Sequence, residues 1–213
     1  MTKLDQITKY NLDYAQSLVD MMPGVFYKAS VQRNEITLYA DHEQILEGLT
    51  FLRLHTHCRY EVLTDIVGVD YPEREKRFEV IYLLSSITYN ARITVKVSVD
   101  ERTPLMSATS LYSSAAWYER ETYDMYGVWF SNHPDLRRLL TDYGFHGHPL
   151  RKDFPLTGYT EIRYDEAEKR LVTEDVELAQ EYRSFDFSSQ WDQSNKPEVV
   201  GYQPEALDSA DTA

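Results

Sequence analysis

Glu119-Arg120-Glu121 is the first place in this sequence where two carboxyl groups could share acid–base work. Helix geometry opposes it. Residues two apart on a helix are separated by about 200° of rotation, so the two carboxylates face different sides. Arg120 can instead pair with Asp124 one turn on, and Glu121 falls near the Trp117 and Met125 side. His55-Thr56-His57-Cys58 and His146-Gly147-His148 have the residue types of metal ligands. His55 and Cys58 share a face if their helix continues, but a zinc site needs at least a third protein ligand, and no other spacing supplies one. Helix termination, or hydrogen bonding to backbone carbonyls, is the simpler role for these histidines. Gly144-Phe145-His146-Gly147 lacks the spacing of a phosphate-binding loop, and no GxSxG nucleophile elbow occurs.

Composition narrows the chemistry further. The chain has 213 residues and one cysteine, Cys58. One thiol cannot form an intramolecular disulfide or supply the roughly four thiolates of an iron–sulfur cluster. Lys and Arg number 22 against 35 Asp and Glu, a formal charge of -13. That balance argues against nucleic-acid binding, which needs a positive surface. No apolar run reaches the roughly 18–20 residues of a membrane span, and the first residues resemble neither a signal peptide nor a transit peptide. The charge is unevenly placed. Residues 174–213 carry 2 basic and 10 acidic groups, whereas residues 132–173 carry 7 of each.

The elements that must position these groups follow from apolar periodicity. Leu4, Ile7, Asn11, Tyr14, Leu18 and Met22 predict a first helix, stopped by Pro23-Gly24, with Asn11 alone breaking the apolar face. Strands follow at 25–31 and 35–40, turning at Arg33-Asn34. Asp41 and Gln44 resemble a capping box opening a second helix through Ile45, Leu46, Leu49 and Leu52. Three strands come next. Residues 61–69 are rich in β-branched residues. Residues 78–84 are almost continuously apolar, as for a strand covered on both faces. Ile93, Val95, Val97 and Val99 alternate with polar residues. A third helix spans about 114–126 and ends at Gly127. The expected fold is α+β: a two-layer domain of helix, two strands, helix and three strands, with a mixed, mostly antiparallel sheet and a long extended C-terminal segment.

Residues 1–130 form the expected core domain, residues 131–193 an extended partner-binding segment, and residues 194–213 a disordered acidic tail. The irregular stretch 127–160 holds four of the eight Gly and three of the eight Pro. It also holds Trp129, Phe130, Leu136, Leu139, Leu140, Phe145, Leu150, Phe154 and Leu156, which must be buried in its own core or against another chain. A hairpin of residues 159–164 with 170–173 closes it. Arg137, Arg138, Arg151 and Lys152 lie in this apolar stretch, interleaved with Asp135, Asp142 and Asp153. Arginine among aromatic and aliphatic residues is the composition of a protein–protein hot spot; a solvated loop with locally balanced charge is the alternative.

The same residues carry a family resemblance. Glu119-Arg120-Glu121, Asp124-Met125-Tyr126-Gly127 and His133-Pro134-Asp135-Leu136-Arg137-Arg138-Leu139-Leu140-Thr141-Asp142-Tyr143-Gly144 resemble the thirty-kilodalton subunit of respiratory complex I, NADH–ubiquinone oxidoreductase. Gly147-His148-Pro149-Leu150-Arg151-Lys152-Asp153-Phe154-Pro155-Leu156, Arg163-Tyr164-Asp165 and Asp65-Ile66-Val67-Gly68-Val69-Asp70-Tyr71-Pro72 extend the likeness to about residues 5–192, most closely to mitochondrial and related bacterial members. The resemblance implies a non-catalytic core subunit in the hydrophilic arm of a proton-pumping NADH:ubiquinone oxidoreductase. It implies that the partners are other hydrophilic-arm subunits, chiefly the one that builds the quinone pocket. It implies no catalytic, metal or cofactor-binding residue in this chain, the FMN, iron–sulfur clusters, NADH and ubiquinone belonging to the assembly. The implied location is peripheral, on the matrix side of the mitochondrial inner membrane, or on the cytoplasmic face of a bacterial one. The expected interface comprises Glu119, Arg120, Glu121, Leu136, Arg137, Arg138, Leu139, Asp142, Tyr143, Arg151, Lys152, Asp153 and Phe154. Residue types alone leave open a free-standing enzyme using Glu119, Glu121 or a histidine cluster, and an acidic adaptor outside any redox complex.

Overall fold

The computed structural model describes residues 3–183 and 198–200. Helix α1 (Lys3–Met21) leads into strands β1 (Phe26–Gln32) and β2 (Glu35–Ala40), helix α2 (Ile45–Leu54), and strands β3 (Val62–Asp70), β4 (Phe78–Ser86) and β5 (Ala91–Val99). After β6 (Leu105–Met106) come helix α3 (Ala115–Tyr126), β7 (Phe130–Ser131), the hairpin β8 (Thr160–Asp165) and β9 (Arg170–Asp175), and a short β10 (Glu198–Val200). The main sheet has the order β10-β1-β2-β5-β4-β3; β2 and β5 run parallel and its other neighbours antiparallel. This is the α+β architecture expected from the sequence. β10 lies within the segment expected to be a disordered acidic tail. Three residues of that segment are instead paired with β1, because β1 offers an open backbone edge. The rest of that expected tail lies outside the described residues.

Register shows where the core sits. Ile66, Tyr82, Val95, Leu38 and Ala29 stand opposite one another across five strands. Gly68, Val80, Val97 and Ala40 form the next row. Because side chains alternate with a period of two, these rows share one face. They are buried in a single core with Ala15 and Leu18 of α1, Ile45, Leu49 and Leu52 of α2, and Ala115 of α3. The helices therefore cover one side of the sheet. The expectation that β4 is covered on both faces needs correction: Ile81, Leu83 and Ser85 on its other face are only half-buried. That face stays partly wet, although Glu79 is buried there with its carboxylate 2.7 Å from Lys96 Nζ.

Local chemistry explains several boundaries. Arg33 and Asn34 both have positive φ, 51° and 65°, as a two-residue turn matched to strand twist requires. Asn11, the polar break in α1, donates from Nδ2 to the Asn34 carbonyl at 3.0 Å, so the break ties the helix to that turn. The expected Asp41–Gln44 capping box does not form. Asp41 instead accepts hydrogen bonds from the backbone and ring of His42, and α2 starts after Gln44 without a side-chain cap. Gly127 caps α3 in the left-handed region at φ 81°, its N–H bonded to the Tyr123 carbonyl.

Candidate partner interface

The centre of the charge pattern is one buried carboxylate, Asp124 on α3. Its side chain is fully buried. Oδ2 accepts the consecutive backbone N–H groups of Leu139, Leu140 and Thr141 at 3.1, 2.8 and 2.9 Å. Oδ1 accepts from the Thr141 hydroxyl at 2.7 Å and from Arg138 Nη1 at 3.1 Å. Burial alone would push this carboxyl up. The hydrogen bonds from Thr141, Leu140 and Leu139 outweigh it and hold the pKa at about 2. Three amides converging on an anion form a nest, here filled by the protein's own side chain.

Further attachments fasten the irregular segment to α3 and to the end of β3. Arg120 does not pair with Asp124, because its guanidinium turns instead to the carbonyls of Arg137 and Arg138, both at 3.1 Å. The last carbonyls of α3, orphaned by helix geometry, find donors in the segment. Asp124 O takes His148 Nδ1 at 2.9 Å, Met125 O takes the Leu150 N–H at 3.2 Å, and Tyr126 O takes Arg151 Nε at 2.7 Å. At the end of β3, buried Asp70 is held by both Nε and Nη2 of Arg77, at 2.7 and 2.9 Å, and accepts the Lys152 N–H at 2.7 Å. Arg77 beside it, with the Lys152 amide, keeps the Asp70 carboxyl below the usual range. Arg77 also reaches Asp153 at 3.0 Å.

The structure thus separates two groups among the residues expected at a partner surface. Arg120, Arg138, Arg151, the backbone of Lys152 and the carboxylate of Asp153 are engaged within the chain. Leu136 packs against the core, Leu139 is half-buried, and Phe154 meets Phe145 at a tilt and Tyr159 edge to face, at centroid distances of 5.9 and 5.4 Å. Arg137, Glu121, Asp142 and Tyr143 remain exposed. His148 takes the carbonyl-bonding role expected of the histidines, whereas sequence reasoning missed Asp124 and Asp70 as anchors. Their partners lie up to 82 residues away, and the nearest available signal was the equal count of charges in residues 132–173.

Glu119 is fully buried and faces away from exposed Glu121, as the helix rotation requires. Its carboxylate accepts from Ser107 Oγ at 2.6 Å and the Ala108 N–H at 2.7 Å. His133 Nε2 lies 3.9 Å away and bonds to the Ala116 carbonyl, while its Nδ1 accepts the Asp135 N–H. Burial pushes the Glu119 pKa from 4.5 up to about 7, against the pull of Ser107 and Ala108. The folded chain therefore retains a proton that the unfolded chain releases between about pH 4.5 and 7. This stabilisation is fully present below that window and is lost as pH rises through it. Glu119→Gln should remove about 3 kcal/mol of pH dependence from urea-unfolding free energies measured at about pH 5 and pH 8. Equal slopes for the two proteins would contradict this.

The histidine–cysteine cluster is local. Cys58 Sγ lies 3.6 Å from His55 Nδ1 and 3.6 Å from the Tyr14 hydroxyl. Burial raises the thiol pKa, which works against thiolate chemistry. Among the described residues no group of three or more His, Cys, Asp or Glu is placed to hold a metal ion. No helix among them is long and apolar enough to cross a membrane.

Comparison with known proteins decides the family. The model of the respiratory-chain NADH dehydrogenase, 30 Kd subunit, matches residues 38–160. The chain belongs to that family. NADH-ubiquinone oxidoreductase subunit 9 of Reclinomonas americana is 48% identical over 201 residues, covering 93% of this chain and 98% of that protein. A protein of Marchantia polymorpha named NADH dehydrogenase [ubiquinone] iron-sulfur protein 3 is 54% identical over 183 residues, 86% of this chain and 94% of its own. A solved trypsin-resistant fragment of Nqo5 superposes with a TM-score of 0.51 at 29% identity, over 59% of this chain and 99% of the fragment. A chain of an archaeal membrane-bound sulfane sulfur reductase shares the fold, with a TM-score of 0.57 at 21% identity over 68% of this chain and 85% of that one. As a 30 Kd family member, the chain carries its Asp124 nest, Asp70 clamp and Glu119 pocket inside the matched region.

Proposed function

We propose that this chain is a non-catalytic core subunit of the hydrophilic arm of NADH:ubiquinone oxidoreductase, packing against the quinone-pocket subunit. Family membership and the names of the relatives support the assembly. The observation that carries the positional role is the β8–β9 hairpin. Its register puts Ile162, Tyr164 and Leu171 on one face, and they are 56, 54 and 69% exposed. Its other face is closed by Arg163, whose guanidinium meets Glu174 at 2.6 and 3.1 Å. An isolated two-stranded hairpin is marginally stable in water, so an apolar face left open calls for another chain. Leu156 and Tyr159, at its base, are also exposed.

In this reading the Asp124 and Asp70 anchors act as a rigid mount. They hold residues 137–156 on α3 and β3, so the exposed apolar groups meet the partner already ordered, which lowers the entropic cost of docking. In this reading the chain binds no cofactor of its own; its one thiol is too few for the roughly four thiolates of an iron–sulfur cluster. FMN, iron–sulfur clusters, NADH and ubiquinone belong to other parts of the assembly. Its place is peripheral, on the matrix side of the mitochondrial inner membrane.

The test is a double substitution, Ile162→Asp with Leu171→Asp. In the isolated chain, urea unfolding should move by no more than about 0.5 kcal/mol, because both groups are already in water. In source membranes the complex resolved on a blue-native gel should drop to about a tenth or less of wild type, since central apolar anchors dominate interface energetics. Normal abundance with lost NADH:ubiquinone turnover would instead assign the chain a catalytic role.

A further inference from the structure

β1 is the long strand at one side of the main sheet, with only the three-residue β10 outside it, and the edge it turns away from β2 is an acceptor for another strand. The direction of its hydrogen bonds follows from the turn. The two-residue turn at Arg33-Asn34 makes Gln32 and Glu35 the closing hydrogen-bonded pair of the β1–β2 hairpin. Pairs alternate from there, so Ser30 bonds inward to Thr37, while Ala29 and Val31 direct N–H and C=O away from β2. Those two residues are the ones that face Val200 and Glu198, with Ser30 opposite Val199. β10 therefore sits in the register that satisfies the outward groups of Ala29 and Val31.

An uncovered edge here would be hazardous. Ala29, Ser30 and Val31 are buried, and the strand Phe26–Gln32 carries one charged side chain, Lys28. It has no proline and no inward-pointing charge to discourage pairing. A second copy of this chain presents the same edge, and antiparallel edge-to-edge pairing of two β1 strands would join the sheets of two molecules.

We propose that Glu198–Val200 is an edge guard: it occupies the acceptor site of β1 and prevents two copies from pairing there. The role is independent of the partner-docking reading of the β8–β9 hairpin, and concerns the chain before it is assembled.

Proline substitutions separate the two sides of β10. The N–H of Val200 points to Ala29, so Val200→Pro removes a ladder bond. The N–H of Val199 points away from β1, so Val199→Pro leaves the ladder intact. In the full 213-residue chain, amide exchange of Ala29 and Val31 should rise at least about tenfold in Val200→Pro and stay near wild type in Val199→Pro. Light scattering over a concentration series should show Val200→Pro moving from monomer to dimer, with Val199→Pro and wild type remaining monomeric. A chain ending after Ser194 should behave as Val200→Pro does. Fast exchange at Ala29 and Val31 in wild type, or unchanged exchange in Val200→Pro, would overturn the seating. Faster exchange in Val200→Pro and in the shortened chain, with both remaining monomeric at every concentration, would overturn the guard. The hairpin double variant leaves all these readings unchanged, so failure here is distinguishable from failure of the docking proposal.

Discussion

Asp124→Ala should destabilise the isolated chain by about 3–5 kcal/mol in urea unfolding, the range for breaking a buried, hydrogen-bonded charge network. The substitution leaves the N–H groups of Leu139, Leu140 and Thr141 without their acceptor and deprives Arg138 of its carboxylate. Asp124→Asn should fall between wild type and Ala. Its carbonyl can still serve the three amides, but its NH2 then faces Arg138 Nη1, donor against donor. Acid should imitate the mutation. The folded pKa of about 2 lies below the ordinary value of 3.8, so this stabilisation is present above pH 3.8 and disappears as pH falls toward 2. The difference amounts to about 2 kcal/mol and should be missing from the Ala variant. An Asp124→Ala chain as stable as wild type, or one with the same acid dependence, would mean that the amide nest is not what holds the segment. With the mount loosened, the complex should also fall in abundance on a blue-native gel, and whatever complex remains should turn over normally.

The contrast between the local turns and the Asp124 network shows which parts of the molecule were legible in the sequence. Turns and helix ends with a local cause could be read directly. Arg33-Asn34 and Gly127 take positive φ for reasons contained in a few neighbouring residues. The β8–β9 hairpin likewise follows from alternation on either side of an acidic loop. The sheet order could not be read, because the parallel pairing of β2 with β5 is a choice between strands 57 residues apart, as Ile36 and Ile93 show. Arg120 and Asp124 fit a helix-pair rule but found better partners outside the helix. The rule counts only same-helix neighbours, worth roughly 0.2–0.5 kcal/mol, whereas amides and carbonyls brought in by the segment offer several bonds at once.

Within this chain the residues that carry the family resemblance act as a fastening. Arg120, Arg138 and Arg151 turn inward to Arg137 O, Gly147 O and Tyr126 O, and their neighbours Leu140, Tyr143 and Leu150 turn out. Charged residues with aromatic neighbours can indicate a hot spot or an internal brace. What separates them here is the supply of unsatisfied backbone groups at the end of α3 and along residues 137–141, which an arginine can reach without leaving the chain.

Gly127→Ala should be nearly as damaging as the loss of a buried anchor, and Gly144→Ala supplies its control. Both glycines have positive φ, 81° and 74°, so both substitutions carry the left-handed penalty of about 1 kcal/mol or slightly more. Around Gly144 nothing lies within 4 Å of the added carbon. At Gly127 that carbon would stand 2.6 Å from Arg151 Nη2 and 2.6 Å from His148 Nε2. Both side chains must move, and both are bonded to the α3 terminus, Arg151 to the Tyr126 carbonyl and His148 to the Asp124 carbonyl. Losing or stretching two such bonds adds about 1 kcal/mol each. The expected destabilisation is therefore about 3 kcal/mol for Gly127→Ala against about 1 kcal/mol for Gly144→Ala, measured by urea unfolding of the two variants side by side. Equal losses would show that His148 and Arg151 yield freely and do not clamp the helix end. A larger loss at Gly127 that disappears in an Arg151→Ala, His148→Ala background would locate the cost in those two contacts, because variants sharing partners are non-additive in that way.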